Sequence, residues 1–124
     1  MKLIIAGSRT VWPDDIDIDN AIYEHYRSVD AVSEVVSGKC RDGADACGER
    51  WAKARGKHVT PFPADWDGPY KKAAGKLRNR EMADYADAAL VFWDGMSSGS
   101  ADMVCRMVAR GKPVRVVPMK ASKK

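Results

Sequence analysis

The sequence predicts an α/β fold: a Rossmann-like three-layer sandwich with a five-stranded parallel sheet of order 3-2-1-4-5 and helices on both faces. Three observations predict it. Short apolar runs alternate with segments of helical spacing along the chain, the pattern of a parallel sheet covered by crossover helices. The links between them are short. Turns rich in glycine or serine follow three of the strands, where strand hands over to helix.

Residues 2–6 form a short apolar run with Ile4 and Ile5, closed by Gly7, and read as a buried strand. After a loop turned by Pro13, residues 16–29 place Ile18, Ala21, Ile22, Tyr26 and Val29 near helical spacing. Asp14, Asp15 and Asp17 sit at the start, where negative charge suits the helix dipole. Residues 31–37 read as the second strand. Asp42 is the expected N-cap of a helix over 43–55, with Ala44, Cys47, Trp51 and Ala54 on one stripe and Gly56 as the stop.

Residues 57–62 read as the third strand, closed by Pro61 and Pro63. Pro69 suits a helix start, so 70–85 read as the third helix, burying Ala73, Ala74, Leu77 and Met82. Residues 88–93 are the most hydrophobic strand. Residues 99–110 form the fourth helix, stopped by Gly111 and Pro113, and 114–117 the fifth strand. With strands one and four adjacent, the order reverses between them. Ligands of such sheets bind outside the carboxyl ends of the strands, at that switch point.

The 124 residues are expected to make one domain over 1–124, with 118–124 as a basic, solvated tail. The hydrophobic share of 45% excludes a disordered chain. The net charge of +4 favours anionic partners. Three cysteines without C-x-x-C spacing argue against a disulfide framework or zinc site and for a cytoplasmic protein; no metal and no cofactor are expected. No run approaches the roughly 20 apolar residues of a membrane span.

The chemistry is expected in the turns. Gly7-Ser8-Arg9 follows the first strand directly. Glycine admits a ligand close to the backbone and Arg9 can grip a phosphate bidentately; a plain turn with a surface arginine is the competing reading. Ser37-Gly38 and Gly43-Ala44-Asp45 form the second turn, whose small residues leave a helix N-terminus open to an anion. Asp45 suits either ribose hydroxyls or its own helix end. Gly75 in mid-helix costs about 1 kcal/mol relative to alanine, so a close neighbour or a ligand is expected there. Arg78 and Asn79 beside it offer a charged fork and an amide; Lys76 and Arg80 read as a solvated face. Asp94-Gly95 and Ser97-Ser98-Gly99-Ser100 open the fourth helix as a further cradle. Trp66 is placed to stack on a base, while Trp51 and Trp93 read as core. The turns match neither G-x-G-x-x-G nor a P-loop, which argues against NAD and ATP hydrolysis.

Taken together, Gly7-Ser8-Arg9, Ser37-Gly38 with Gly43-Ala44-Asp45 and Trp51-Ala52, Pro63-Ala64-Asp65-Trp66, Ala74-Gly75, Arg78-Asn79 with Met82, and Gly99-Ser100 resemble the SLOG superfamily in its YspA/YpsA-like branch. The resemblance runs from Leu3 to Val117. It implies a Rossmann-like sheet and a nucleotide or nucleotide-derived ligand. Relatives include the LOG phosphoribohydrolases, once called lysine decarboxylase-like, and the DNA-processing protein DprA. Against the LOG pattern P-G-G-x-G-T-x-x-E, Gly99-Ser100 stand at Gly-Thr and Met103 stands at the glutamate. Asp102 is one residue off, about 100° around the helix. The resemblance therefore favours binding over N-glycosidic hydrolysis.

Three functions follow as expectations. The first is a sensor or sequestering protein for a nucleotide or ADP-ribose-like ligand. The second is a nucleotide hydrolase using Asp45, Asp94 or Asp102. The third, single-stranded nucleic-acid binding, is disfavoured because aromatic residues are only 8% and no basic groove with interleaved aromatics is readable. Met103, Met107 and Val108 are expected either to bury a homodimer face or to face the sheet.

Overall fold

The computed structural model describes residues 1–65, 67–68 and 73–122. Strand β1 (Lys2–Gly7) leads into helix α1 (Asp15–Tyr26) and a 3₁₀ turn (Val29–Ala31). Then come β2 (Glu34–Ser37), α2 (Ala44–Ala54), β3 (His58–Pro61), α3 (Ala74–Tyr85), β4 (Ala88–Trp93), α4 (Ser98–Ala109) and β5 (Val114–Pro118). The five strands form one parallel sheet of order β3-β2-β1-β4-β5.

Strand alternation divides the core into two layers. Leu3 and Ile5 of β1, with Ala88, Leu90 and Phe92 of β4, pack against Ile18 and Ile22 of α1 and Cys47 and Trp51 of α2. Ile4 and Ala6, with Ala89 and Val91, face Met82 of α3 and Met103 and Met107 of α4. Both faces of the two central strands are therefore dry, which is why they read as unbroken apolar runs. Gly48 lets α2 lie directly on β1: a Cβ there would stand 2.7 Å from Ile5 Cγ2.

Several boundaries depart from the sequence reading, each for a local reason. The second strand starts at Glu34 because Ser28 accepts from the Asp30 amide and draws Val29–Ala31 into a 3₁₀ turn. The N-cap of α2 is Gly43, not Asp42, and it makes no side-chain cap bond. Asp14 and Asp17 close a reciprocal capping box on α1, at 2.7 and 3.0 Å. Ala54 and Ala73 are exposed, and Leu77 is half-buried; Ala83 is buried in their place. Trp93 is also only half-buried, its indole N–H donating to the Ser97 carbonyl at 2.9 Å. Met103 and Met107 face the sheet, whereas Val108 is exposed. Pro69 and positions 70–72 of the expected third helix lie outside the described residues, as does Trp66. No described helix is long and apolar enough to cross a membrane.

Residues 119 and 122 are tied to the fold by their backbone amides. The Met119 amide donates to the Trp93 carbonyl at 2.9 Å, and the Ser122 amide to the Thr10 carbonyl at 2.8 Å.

Candidate functional site

A cavity of about 440 Å³ opens at the carboxyl edge of the sheet, where β1 and β4 part from α3 and α4. A volume of this size lies within the usual range of small-molecule sites. Gly7 at the end of β1 lines it with Ser8 and Arg9 of the loop that follows; Gly38 lines it from the β2–α2 turn and Asp45 from α2; Arg78 and Asn79 from α3; Asp94 from the β4–α4 turn, and Ser98, Gly99 and Ser100 from α4. Ala6, Thr10, Cys40, Gly75, Lys76, Met82, Ser97 and Met103 complete the lining. Lys76, read from the sequence as a solvated face, thus reaches the cavity. Ser37, Gly43, Ala44 and Gly95 are not in the lining.

The two glycine-opened helix starts differ. At α2, Gly43 has φ +71°, and a Cβ there would meet the Ser8 carbonyl oxygen at 2.3 Å and Arg9 Cα at 2.5 Å. The first amide of that helix, Ala44 N–H, already donates to the Ser8 carbonyl at 3.3 Å. The turn is used to lock α2 under the first loop. Gly7 is locked likewise: φ is +155°, and a Cβ would lie 1.9 Å from the Phe92 carbonyl oxygen. Only glycine lets β1 and β4 converge there, and Ser8 N–H then donates to that same carbonyl at 3.0 Å.

At α4 the start is open. Ser97 caps the helix, its Oγ accepting from the Ser100 amide at 3.3 Å. Asp94 Oδ1 accepts from the amides of Met96 and Ser97, at 2.8 and 3.0 Å. The amides of Ser98 and Gly99 are left without a partner among the described residues. The nearest atom to a Cβ at Gly99 would be Ser97 Oγ, 4.0 Å away. A helix N-terminus with unspent amides and a positive dipole end attracts anions. Arg9 and Lys76, on the same cavity, have no ion-pair partner among the described residues.

The three candidate carboxylates have unequal surroundings. Asp94 accepts from Thr10 Oγ1 at 2.6 Å as well as from the two amides, and its own amide donates to Ser8 Oγ at 3.1 Å. The Thr10 hydroxyl first, then those amides, hold its carboxyl well below the usual range. Asp102 Oδ2 accepts from Asn79 Nδ2 at 3.1 Å and from Arg106 Nε at 2.9 Å, tying α4 to α3. Asn79 also donates to the Gly99 carbonyl at 3.2 Å.

Asp45 is buried, with 7% exposure. Burial pushes its carboxyl up to about 6, against the opposing pull of Arg78. Its polar contact to the Cys40 amide is long, 3.4 Å. Arg78 donates from Nη1 to the Gly38 carbonyl at 2.5 Å. A Cβ at Gly38 would lie 2.6 Å from that nitrogen and 2.9 Å from Asp45 Oδ2, so residue 38 must be small where Arg78 and Asp45 both crowd it. Ser37 turns away, donating to Glu49 Oε2 at 2.8 Å. Met103 is 2% exposed and packs in the α3–α4 core layer.

Sequence reasoning missed Thr10 because its partner, Asp94, is 84 residues away. Among the described residues, no group of three or more His, Cys, Asp or Glu is placed to hold a metal ion.

Comparison with known proteins gives one family. Residues 1–68, a little over half the chain, match the model of the YspA, cpYpsA-related SLOG family. No curated protein and no solved structure matches.

Proposed function

The chain belongs to the YspA, cpYpsA-related SLOG family, and from that premise we propose that it binds a phosphate-bearing nucleotide or nucleotide-derived ligand, ADP-ribose-like included, as a sensor or sequestering protein. The observation that carries this reading is the α4 start: the amides of Ser98 and Gly99 and the cations Arg9 and Lys76, none of them partnered among the described residues, share one cavity. A phosphate there would accept from the amides and from Arg9, while Asp45 and the Gly38 loop would face the sugar side.

Magnitudes set the ligand's size. An anion at one helix start gains about 0.3–1 kcal/mol, up to roughly 2 when partly buried. Charge-assisted hydrogen bonds add about 1.5–3 kcal/mol each. Association costs on the order of 4–15 kcal/mol. Phosphate alone binds weakly on this account, so a micromolar ligand, about −8 kcal/mol, also needs its sugar or base held. The test is calorimetry with nucleoside monophosphates, ADP-ribose and cyclic dinucleotides. Saturable binding of at least one is expected, and it should weaken in Arg9→Ala. Silence across the panel at about 100 μM, roughly −5.5 kcal/mol, contradicts the reading.

One observation favours turnover as a second reading. Asp45 is a buried carboxyl on the cavity whose proton leaves near pH 6. That suits proton transfer at neutral pH. Asp94 and Asp102 are committed to loop and helix contacts. Release of free base from a bound nucleotide, lost in Asp45→Asn with binding retained, supports it. Bound nucleotide recovered intact removes it.

A further inference from the structure

The tail residues 119–122 connect to the α4 cradle through an unbroken series of hydrogen bonds. The Ser122 amide donates to the Thr10 carbonyl at 2.8 Å. The Thr10 hydroxyl donates to Asp94 Oδ2 at 2.6 Å. Asp94 Oδ1 gathers the amides of Met96 and Ser97. Ser97 then caps α4 at the Ser100 amide, leaving the Ser98 and Gly99 amides facing outward from the helix start. At its other end the strap is pinned by Met119, whose amide donates to the Trp93 carbonyl. Trp93 in turn donates from its indole to the Ser97 carbonyl. Both anchors of the strap thus lead to Ser97, one through Thr10 and Asp94, the other through Trp93.

We propose that residues 119–122 are a positioning element of the ligand site: the strap holds the β1 and β4 loops together, and so sets the direction of the α4 amides that receive the anion. Thr10 is the joint, since its carbonyl takes the strap and its hydroxyl takes Asp94. Without the strap, Thr10 keeps its own loop and its bond to Asp94 but loses the anchor at its carbonyl, and the Asp94 turn loses the support that reaches it through Thr10. Strap docking and anion binding are then coupled in both directions, because each stabilises the same arrangement of Asp94 and Ser97. Lys120 rides on the strap without an ion-pair partner among the described residues, keeping this rim positive.

The role rests on the binding reading above, so the test has one arm that needs no ligand. Ser122→Pro removes the single amide that ties the strap to Thr10, at an exposed position far from the core. Thr10→Val removes the hydroxyl and keeps the shape. Amide hydrogen exchange is followed at Met96 and Ser97, with the Ala44 amide as internal reference. Each variant should speed exchange at Met96 and Ser97 by about tenfold, the weight of one hydrogen bond, and leave Ala44 alone. The double variant should go little further than Thr10→Val, because both act on one series of bonds. In calorimetry with adenosine 5′-monophosphate, Ser122→Pro should bind several-fold more weakly.

Exchange at Met96 and Ser97 within twofold of the parent in Ser122→Pro overturns the proposal. So does faster exchange with unchanged affinity in a parent protein that binds the probe. If the parent binds none of the nucleotide panel, the binding reading falls, and the exchange arm alone decides whether the strap positions α4.

Discussion

The starts of α2 and α4 look alike in sequence and do opposite work. Each follows a strand and a turn that holds serine and glycine, and each carries a glycine in or beside the first turn. At α2 the glycine is a packing necessity: Gly43 adopts a left-handed φ and has the backbone of Ser8 and Arg9 pressed against it. At α4 the nearest atom to a Cβ at the glycine would be 4.0 Å away, and the helix is capped by a side chain that leaves two amides without a partner among the described residues. A small-residue turn therefore carries two messages, close approach of the protein to itself or room for a guest. Only the identity of the neighbour separates them.

Gly43→Ala should break the comparison most severely. A methyl at 2.3 Å from a carbonyl oxygen, on a backbone at φ +71°, combines strain with overpacking. A loss of more than about 3 kcal/mol in denaturant unfolding is expected.

Asp45→Asn sharpens the same region through pH. The buried carboxyl rises from its ordinary 3.8 to about 6. Between those values the folded state holds more protons than the unfolded state, so stability from this group falls as pH rises through the window. The penalty is complete above pH 6 and absent below about pH 4. Relative to the parent, Asp45→Asn should gain on the order of 2–3 kcal/mol between pH 4 and pH 7 in unfolding titrations. Its advantage should vanish in acid.

Arg9→Ala tests the open side. Arg9 is exposed and unpaired among the described residues, so stability should hold within about 0.5 kcal/mol. Nucleotide affinity should fall roughly tenfold or more, the value of one charge-assisted hydrogen bond. Gly99→Ala has the smallest expected effect. With no close neighbour, the helix should gain up to about 1 kcal/mol. Affinity, read by calorimetry, should weaken less than in Arg9→Ala.

Much of the fold was legible because both faces of β1 and β4 are dry. The run Ala88–Trp93 could be read to the residue, since burial on both sides leaves no polar interruption. Edges were harder. The second strand reads three residues early from sequence because Ala31 and Val32 are apolar, and only the Ser28 cap marks the 3₁₀ turn that holds Ala31. Asp42 looked like the cap of α2 because side-chain chemistry is what sequence displays; the actual partner is the Ser8 carbonyl, 36 residues upstream of Ala44.

The candidate site follows the same rule. Arg9, Arg78 and Gly99 could be grouped from their places on one sheet edge, and they do line one cavity. Thr10 and the tail could not be grouped with them. Their parts depend on contacts with distant residues, Asp94 for Thr10 and Thr10 for Ser122, that leave no local pattern.

The most direct measurement is a titration of the isotope-labelled protein with adenosine 5′-monophosphate, followed residue by residue at the backbone amides. Saturable movement of the Ser98 and Gly99 signals, with Ala44 unmoved, is the expected result. Movement at Ala44 with Ser98 and Gly99 silent would place the anion at the wrong helix and contradict the account.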